Sequence, residues 1–393
     1  MTTEQEFFLK TLSDHMNRKE TAPCAGVDWN ALYHIAYLHR VGGIVFYQCK
    51  EFIPEPFYTR FKKSYWAVLY NYKNRENVYR KIDESFTTAG IQHFNIKGFE
   101  VAACYPVPAL RAMSDLDMVV LKADRKQAGE ILKSKGFIPE GDHAPDYDWE
   151  YDCKGLHYEL HHQLIYDEVV TKPEQAKFFN DCWKYVKEGK LDWNFHFLFL
   201  IAHLRKHMLN SGAGFRMFMD LAAVIHQISD LNWPWIEEKL DLLRMTEFSN
   251  VCFALIEKWF RVKAPVDYPQ LEVEFSETAT ERIFANGIFG FNSENNKINA
   301  AANGILRHEN RRGLSRAHIL ARHMFPKYKH MRYIPAYSYI DGRPWLLLSA
   351  WIWRYMRFFM GKTSGTKSTL NKVKTSNEIV DEREEELRKW GLI

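Results

Sequence analysis

The sequence predicts an α+β fold: a small mixed-sheet core flanked by mostly helical regions. Three observations predict it. Apolar residues recur at helical spacing from residue 1 to about 90, and again after Pro173. Between them, from Ile91 to about residue 166, short runs instead alternate polar and apolar residues or turn from polar to apolar. Strand signals are thus confined to one block, which suits a compact sheet unit with helices segregated around it.

The elements follow in order. Asp28-Trp29 starts a helix with Leu32, Ile35, Ala36 and Leu38 at helical spacing, and Gly42-Gly43 interrupts it. Pro54 and Pro56 mark a boundary, after which Phe57 to Thr88 reads as one long helix. Trp66, Leu69, Tyr70, Val78 and Ile82 are its candidate buried positions. Ile91–Ile96 is a strand, Lys97-Gly98 a turn, and Phe99–Cys104 a short helix. Ser114–Leu121 is a strand with a polar start and an apolar end. Arg125–Lys135 is a helix stopped by Gly136, Phe137–Glu140 a strand, 141–150 a polar turn region, and Leu156–Leu164 a strand. Helices Phe195–Met208 and Phe215–Ile228 are joined by Ser211-Gly212-Ala213-Gly214, and Trp233-Pro234-Trp235 starts another. Residues 287–304 read as a loop, 361–377 as a linker, and 381–390 as a short charged helix. The regions are therefore 1–90, helical; 91–172, the α/β core; 173–326, helical; and 327–393, an aromatic and basic segment with linker and helix.

Composition removes several classes. Among 393 residues, 53 basic and 49 acidic side chains leave a net charge of +4, too weak to argue for nucleic acid as the main partner. Six cysteines without a CxxC pair argue against a zinc ribbon and for reduced thiols in a cytoplasmic protein. Met1–Lys10 is unlike an export signal, and no run reaches the roughly 20 apolar residues of a membrane span. Residues 344–360, rich in Trp, Tyr and Arg, suit either a helix packed on the body or a peripheral membrane contact.

The candidate chemistry sits on the strands. Asp115 and Asp117, two apart, share one face, while Leu116 and Met118 face the core. Two adjacent carboxylates are costly unless a cation joins them, and magnesium suits oxygen ligands of this kind. Glu159 is the candidate third acid, with His157 and His161 on its face by the same alternation.

Lys97-Gly98, then Arg111, then Asp115-Leu116-Asp117 before an apolar strand, then Glu159-Leu160-His161, resembles the uncharacterised nucleotidyltransferase family of the DNA polymerase β-like superfamily. A later stretch is similar too: His203, Lys206, His207, Gly212 to Arg216 and Asp220-Leu221. With Asp28-Trp29 and Leu346 to Arg357, the resemblance covers about residues 28–358. It implies a nucleotidyltransferase core at 91–172 in which Asp115, Asp117 and Glu159 are catalytic and hold two Mg2+ ions. Lys97, Gly98 and Arg111 would bind the nucleoside triphosphate. His161, His203, His207, Arg216 and Asp220 are acceptor-side candidates, beside plainer readings as polar contacts and, for Arg216 and Asp220, a helix ion pair. The implied reaction is metal-dependent transfer of a nucleotidyl group to an unidentified acceptor, a sugar-linked one among the candidates. The superfamily's Gly-Ser turn is here Gly98-Phe99, without a hydroxyl, which keeps open the alternative of a non-catalytic binding or scaffold protein.

Overall fold

The computed structural model describes residues 1–141, 148–165, 173–210, 212–287, 325–332, 335–359 and 377–393. Residues 288–304 and 361–376, within the expected loop and linker, lie outside them. The chain forms two compact units. One is Met1–Met208 with Gly212–Gly290 and Trp390–Leu392; the other is Leu209–Ser211 with Phe291–Lys389 and Ile393.

The first unit opens with four helices: α1 (Thr3–Met16), α2 (Trp29–Leu38), α3 (Gly42–Cys49) and α4 (Glu55–Thr88). The Asp28 side chain caps α2 by accepting from the backbone N–H of Asn30 and Ala31. Gly43 lets α3 lie close on α4, since a Cβ there would stand 2.6 Å from Val68 Cγ1. The long helix α4 is as expected in extent, and of its expected buried positions Ile82 is buried and Leu69 and Val78 are half-buried, but Trp66 and Tyr70 are not. Trp66 and Tyr70 are 58% and 73% exposed, whereas Phe61, Arg75, Ile82 and Phe86 are buried. The reason is phase: at about 100° per residue, Trp66 lies about 160° from Ile82 and Phe61 only about 60° from it. Aromatic character drew the expectation to the wrong side of the helix.

The sheet follows: β1 (His93–Asn95), then α5 (Gly98–Ala102), β2 (Asp115–Val120), α6 (Arg125–Ser134), β3 (Ile138–Glu140), β4 (Trp149–Cys153) and β5 (Leu156–His161). Its order is β1-β2-β5-β4-β3. Only β2 and β5 are parallel; the other neighbours are antiparallel. β4 falls partly in the stretch expected to be a turn. One sheet face carries Leu116, Met118, Val120, Tyr158 and Leu160, and packs on Ile82 and Phe86 of α4 and Ala128 and Leu132 of α6. That leaves the alternate residues of β2 and β5 facing the other way.

Next come α7 (Pro173–Asn180) and a hairpin that sequence reading did not expect, β6 (Val186–Lys187) and β7 (Lys190–Leu191). Its two-residue turn, Glu188-Gly189, has positive φ at both positions. Then follow α8 (Trp193–Asn210), α9 (Phe215–Gln227), α10 (Trp233–Leu242), α11 (Thr246–Phe260) and α12 (Val273–Asn286). Trp390 and Leu392 belong to this unit. Trp390 is 1% exposed between Phe218 and Phe275, and Arg205 of α8 donates to the Leu392 carbonyl at 2.8 Å.

The second unit contains α13 (Tyr328–Met331), α14 (Leu347–Phe359) and α15 (Asn377–Lys389), with Met331, Tyr337, Ile340 and Ala350 in a small core. Among the described residues, no helix is long and apolar enough to cross a membrane.

Candidate active site

The parallel pairing of β2 with β5 builds the site. Its register sets Asp117 beside Glu159 and Asp115 beside His157. The first pair meets: His161 Nε2 lies 3.1 Å from Asp117 Oδ1 and 3.3 Å from Glu159 Oε2. On its other side, His161 Nδ1 donates to Asp148 Oδ1 at 2.8 Å. Burial opposes charge on this imidazole, yet Asp148 and hydrogen bonds to three carboxylates raise its pKa well above the ordinary histidine value. Glu159 is likewise held below its ordinary pKa: burial works against it, and His161 and Lys97 outweigh burial.

Lys97 comes from the turn after β1. Its backbone has φ 58° and ψ −114°, a conformation L-residues rarely adopt, costing on the order of 1–3 kcal/mol unless the surroundings hold it. Two contacts hold it here. The Lys97 N–H donates to His196 Nε2 at 3.1 Å, and Arg111 Nη1 donates to the Gly98 carbonyl at 3.2 Å. His196 can accept because it is neutral: burial, then Arg111 and Lys97, push its pKa down to about 3. The strained turn aims the Lys97 ammonium at Asp117 Oδ1, 2.6 Å away. Burial disfavours that ammonium, but Asp117, Asp115 and Glu159 keep it firmly protonated. Lys97 and His161 are therefore the cations that relieve the crowding of carboxylates.

Arg111 is fully engaged. Its Nε and Nη2 donate to the two carboxylate oxygens of Asp220 at 2.7 and 2.8 Å, and the Tyr105 hydroxyl adds a bond to Asp220 Oδ1 at 2.7 Å. Burial alone would raise the Asp220 pKa, but Arg111 holds it low. Asp115, half-buried, accepts from the Ser114 hydroxyl at 2.7 Å.

These groups line one cavity of about 240 Å³ in the first unit. The structure brings to its walls all the sequence-predicted residues: Asp115, Asp117, Glu159, Lys97, Gly98, Arg111, His161, His203, His207, Arg216 and Asp220. They do not all meet. Asp117, Glu159 and His161 offer ligand atoms within 4.8 Å of one another, a group that does not include Asp115. His157 is elsewhere, exposed beside Glu140 and Asp152. His203 and His207 stand on α8 across the cavity with rings edge to face, 4.6 Å between centroids. Sequence reasoning missed Asp148, in a stretch expected to be a turn, and His196, whose signal was only a histidine in an apolar helix. It also left Lys206 without a role, although Lys206 lies one residue from His207.

An acidic pair on a central strand, a glutamate on its parallel neighbour and a cavity over both define the class: a carboxylate-lined core of the nucleotidyltransferase type. The chain belongs to the uncharacterised nucleotidyltransferase family, whose sequence model matches residues 25–261. No match was found among curated proteins or among solved structures.

Proposed function

We propose that the protein transfers a nucleotidyl group from a nucleoside triphosphate to an acceptor hydroxyl or phosphate, with divalent cations at its carboxylates. The observation that carries this is the convergence of Asp117, Glu159 and His161 from paired positions of parallel strands. Two neighbouring ligands of an octahedral ion at about 2.1 Å lie about 3.0 Å apart. The 3.1 and 3.3 Å separations around His161 Nε2 match that edge. Asp117 and Glu159 would hold one cation, with His161 as a nitrogen donor once its Nε2 proton is lost to solvent and Nδ1–H stays on Asp148; Asp115 and Asp117 would hold a second. Mg2+ is the expected ion, and bound there it would neutralise charge developing on the transferred phosphoryl oxygens.

The protein's own groups do the rest. With a cation held at Asp117, the Lys97 ammonium, now 2.6 Å from Oδ1, would be released to meet a phosphate oxygen. Arg111, committed to Asp220, acts through the turn by holding Gly98. Glu159 accepts the proton of the acceptor hydroxyl, the acceptor oxygen bonds to the α-phosphorus, and the bond from that phosphorus to the departing pyrophosphate oxygen breaks. Calorimetric titration of each nucleoside triphosphate, with and without Mg2+, tests the reading. Mg2+-dependent binding in wild type and its loss in Asp115→Asn/Asp117→Asn are expected. A folded protein that binds no triphosphate would favour the scaffold alternative.

Residues 344–360 favour a second, compatible reading, peripheral membrane contact. Leu348, Ile352 and Met356, four apart on α14, are 64%, 56% and 51% exposed, and Trp345 just before them is 74% exposed. Such a stripe near Arg354 and Arg357 suits an anionic lipid interface. Co-sedimentation with anionic vesicles should fall on Ile352→Asp; unchanged sedimentation removes this reading.

A further inference from the structure

We infer that the cavity wall formed by α8 and α9 is a receptor for a phosphate chain, with Lys206 and Arg216 as its charged groups. The inference rests on the nucleotidyl-transfer reading and adds where the phosphates go.

Beside Arg205, which donates to the Leu392 carbonyl, that wall holds two cations without a carboxylate of their own. Asp220 already accepts three hydrogen bonds, two from Arg111 and one from Tyr105. Arg216 reaches the same carboxylate only at 3.9 Å and the Ala112 carbonyl at 3.4 Å, while its buried Nε has no acceptor. Two guanidinium groups thus share one carboxylate, which already binds the other bidentately. Lys206, half-buried in the same cavity, makes no ion pair or hydrogen bond with any described residue. A buried cation without a partner is costly, and proteins keep such groups where a ligand supplies the counter-charge.

The surroundings agree. Burial first, then Lys97, lowers the Lys206 pKa; burial first, then Lys206 and Lys97, pushes His207 down to about 3. His207 is therefore neutral, with a ring N–H to donate and no charge added to a wall already positive. His203 lies one turn earlier on the same face, also held neutral by burial and Lys97. Lysine, arginine and imidazole donors lining one cavity suit a multiply charged anion.

The shared chemistry has two sources: the triphosphate tail of the donor, or a phosphate carried by the acceptor. The test is calorimetric titration of inorganic tripolyphosphate, without divalent cations, into the full chain. Wild type should bind it, Lys206→Met should weaken binding at least tenfold, and Arg216→Gln should do the same if it melts like wild type. Asp115→Asn/Asp117→Asn, which removes negative charge across the cavity, should bind as well as wild type or better. No binding to wild type, or equal binding to folded Lys206→Met, overturns the proposal. Because no cation is present, this result is independent of the Mg2+-dependent titration, and either reading can fail alone. If a nucleoside triphosphate displaces the tripolyphosphate, the wall holds the donor's tail; if both bind together, it holds a phosphorylated acceptor.

Discussion

Replacing Asp220 by Leu should cost far more stability than an ordinary surface substitution. The Arg111 and Asp220 side chains are only 4% and 9% exposed, and their two hydrogen bonds are 2.7 and 2.8 Å long. Removing one partner of such a pair leaves the other charge buried, at a cost of about 3–5 kcal/mol. Here the cost is compounded, because Arg216 leans on the same carboxylate. The first unit has about 290 residues, so an unfolding entropy of about 2.1 cal/mol/K per residue converts 4 kcal/mol into a fall of about 6–7 °C in melting temperature. Scanning calorimetry on wild type, Arg111→Leu, Asp220→Leu and the double variant measures the coupling. We expect the double variant to be at least about 2 kcal/mol more stable than the sum of the singles, since removing both charges removes the unpaired-ion penalty. Additivity within about 0.5 kcal/mol would refute the pairing as an energetic unit.

Three other outcomes are expected. His39 is 0% exposed among Phe8, Phe215 and Phe284, and burial pushes its pKa down to about 4. A depressed histidine pKa favours the neutral folded form, so its contribution is intact above the ordinary value near 6.5. Up to about 3 kcal/mol is then lost as pH falls from there to 4. Urea titrations between these pH values should show a shallower pH slope for His39→Phe, and an identical slope would contradict the assignment. Lys97→Met should tighten Mn2+ binding in the absence of nucleotide, because the ammonium competes for Asp117 Oδ1; weaker binding in calorimetry would place the cation elsewhere. Trp390→Ala should cost about 3–5 kcal/mol, as for other fully buried large side chains, and a change below about 1 kcal/mol in denaturant melts would show that the Trp390–Leu392 segment is not docked.

The sequence made the chemistry-bearing strands legible because their signal is local. Asp-x-Asp before an apolar run and Glu-Leu-His within one each declare a face by period two, and β2 and β5 have those faces. Helix starts at Asp28 and after Pro54 were legible through capping and proline placement. What stayed hidden depends on contacts distant in sequence. Arg111 and Asp220 are 109 positions apart, so a bidentate pair looked like a phosphate clamp and, separately, an acceptor-side acid or the helix partner of Arg216. Asp148 has meaning only once β4 lies against β5 and brings it to His161. β4 did leave a trace, Trp149, Tyr151 and Cys153 at period two, obscured by the polar stretch before it. Lys206 illustrates the converse: its interest comes from having no partner among the described residues, which one-dimensional spacing cannot reveal.

The seating of Trp390 and Leu392 also bears on how the molecule is made. Arg205 cannot find the Leu392 carbonyl, nor Phe218 and Phe275 their indole, until residue 392 has been synthesised. At about 5–20 residues per second, roughly 10–40 s of translation separate Arg205 from that contact. During that interval Phe218 of α9 and Phe275 of α12 lack the indole that packs against them, and Arg205 of α8 lacks its carbonyl acceptor. Completion of the first unit therefore waits on a segment far along the chain, and a segment delayed or lost near residue 390 would leave a nearly finished domain exposed to aggregation.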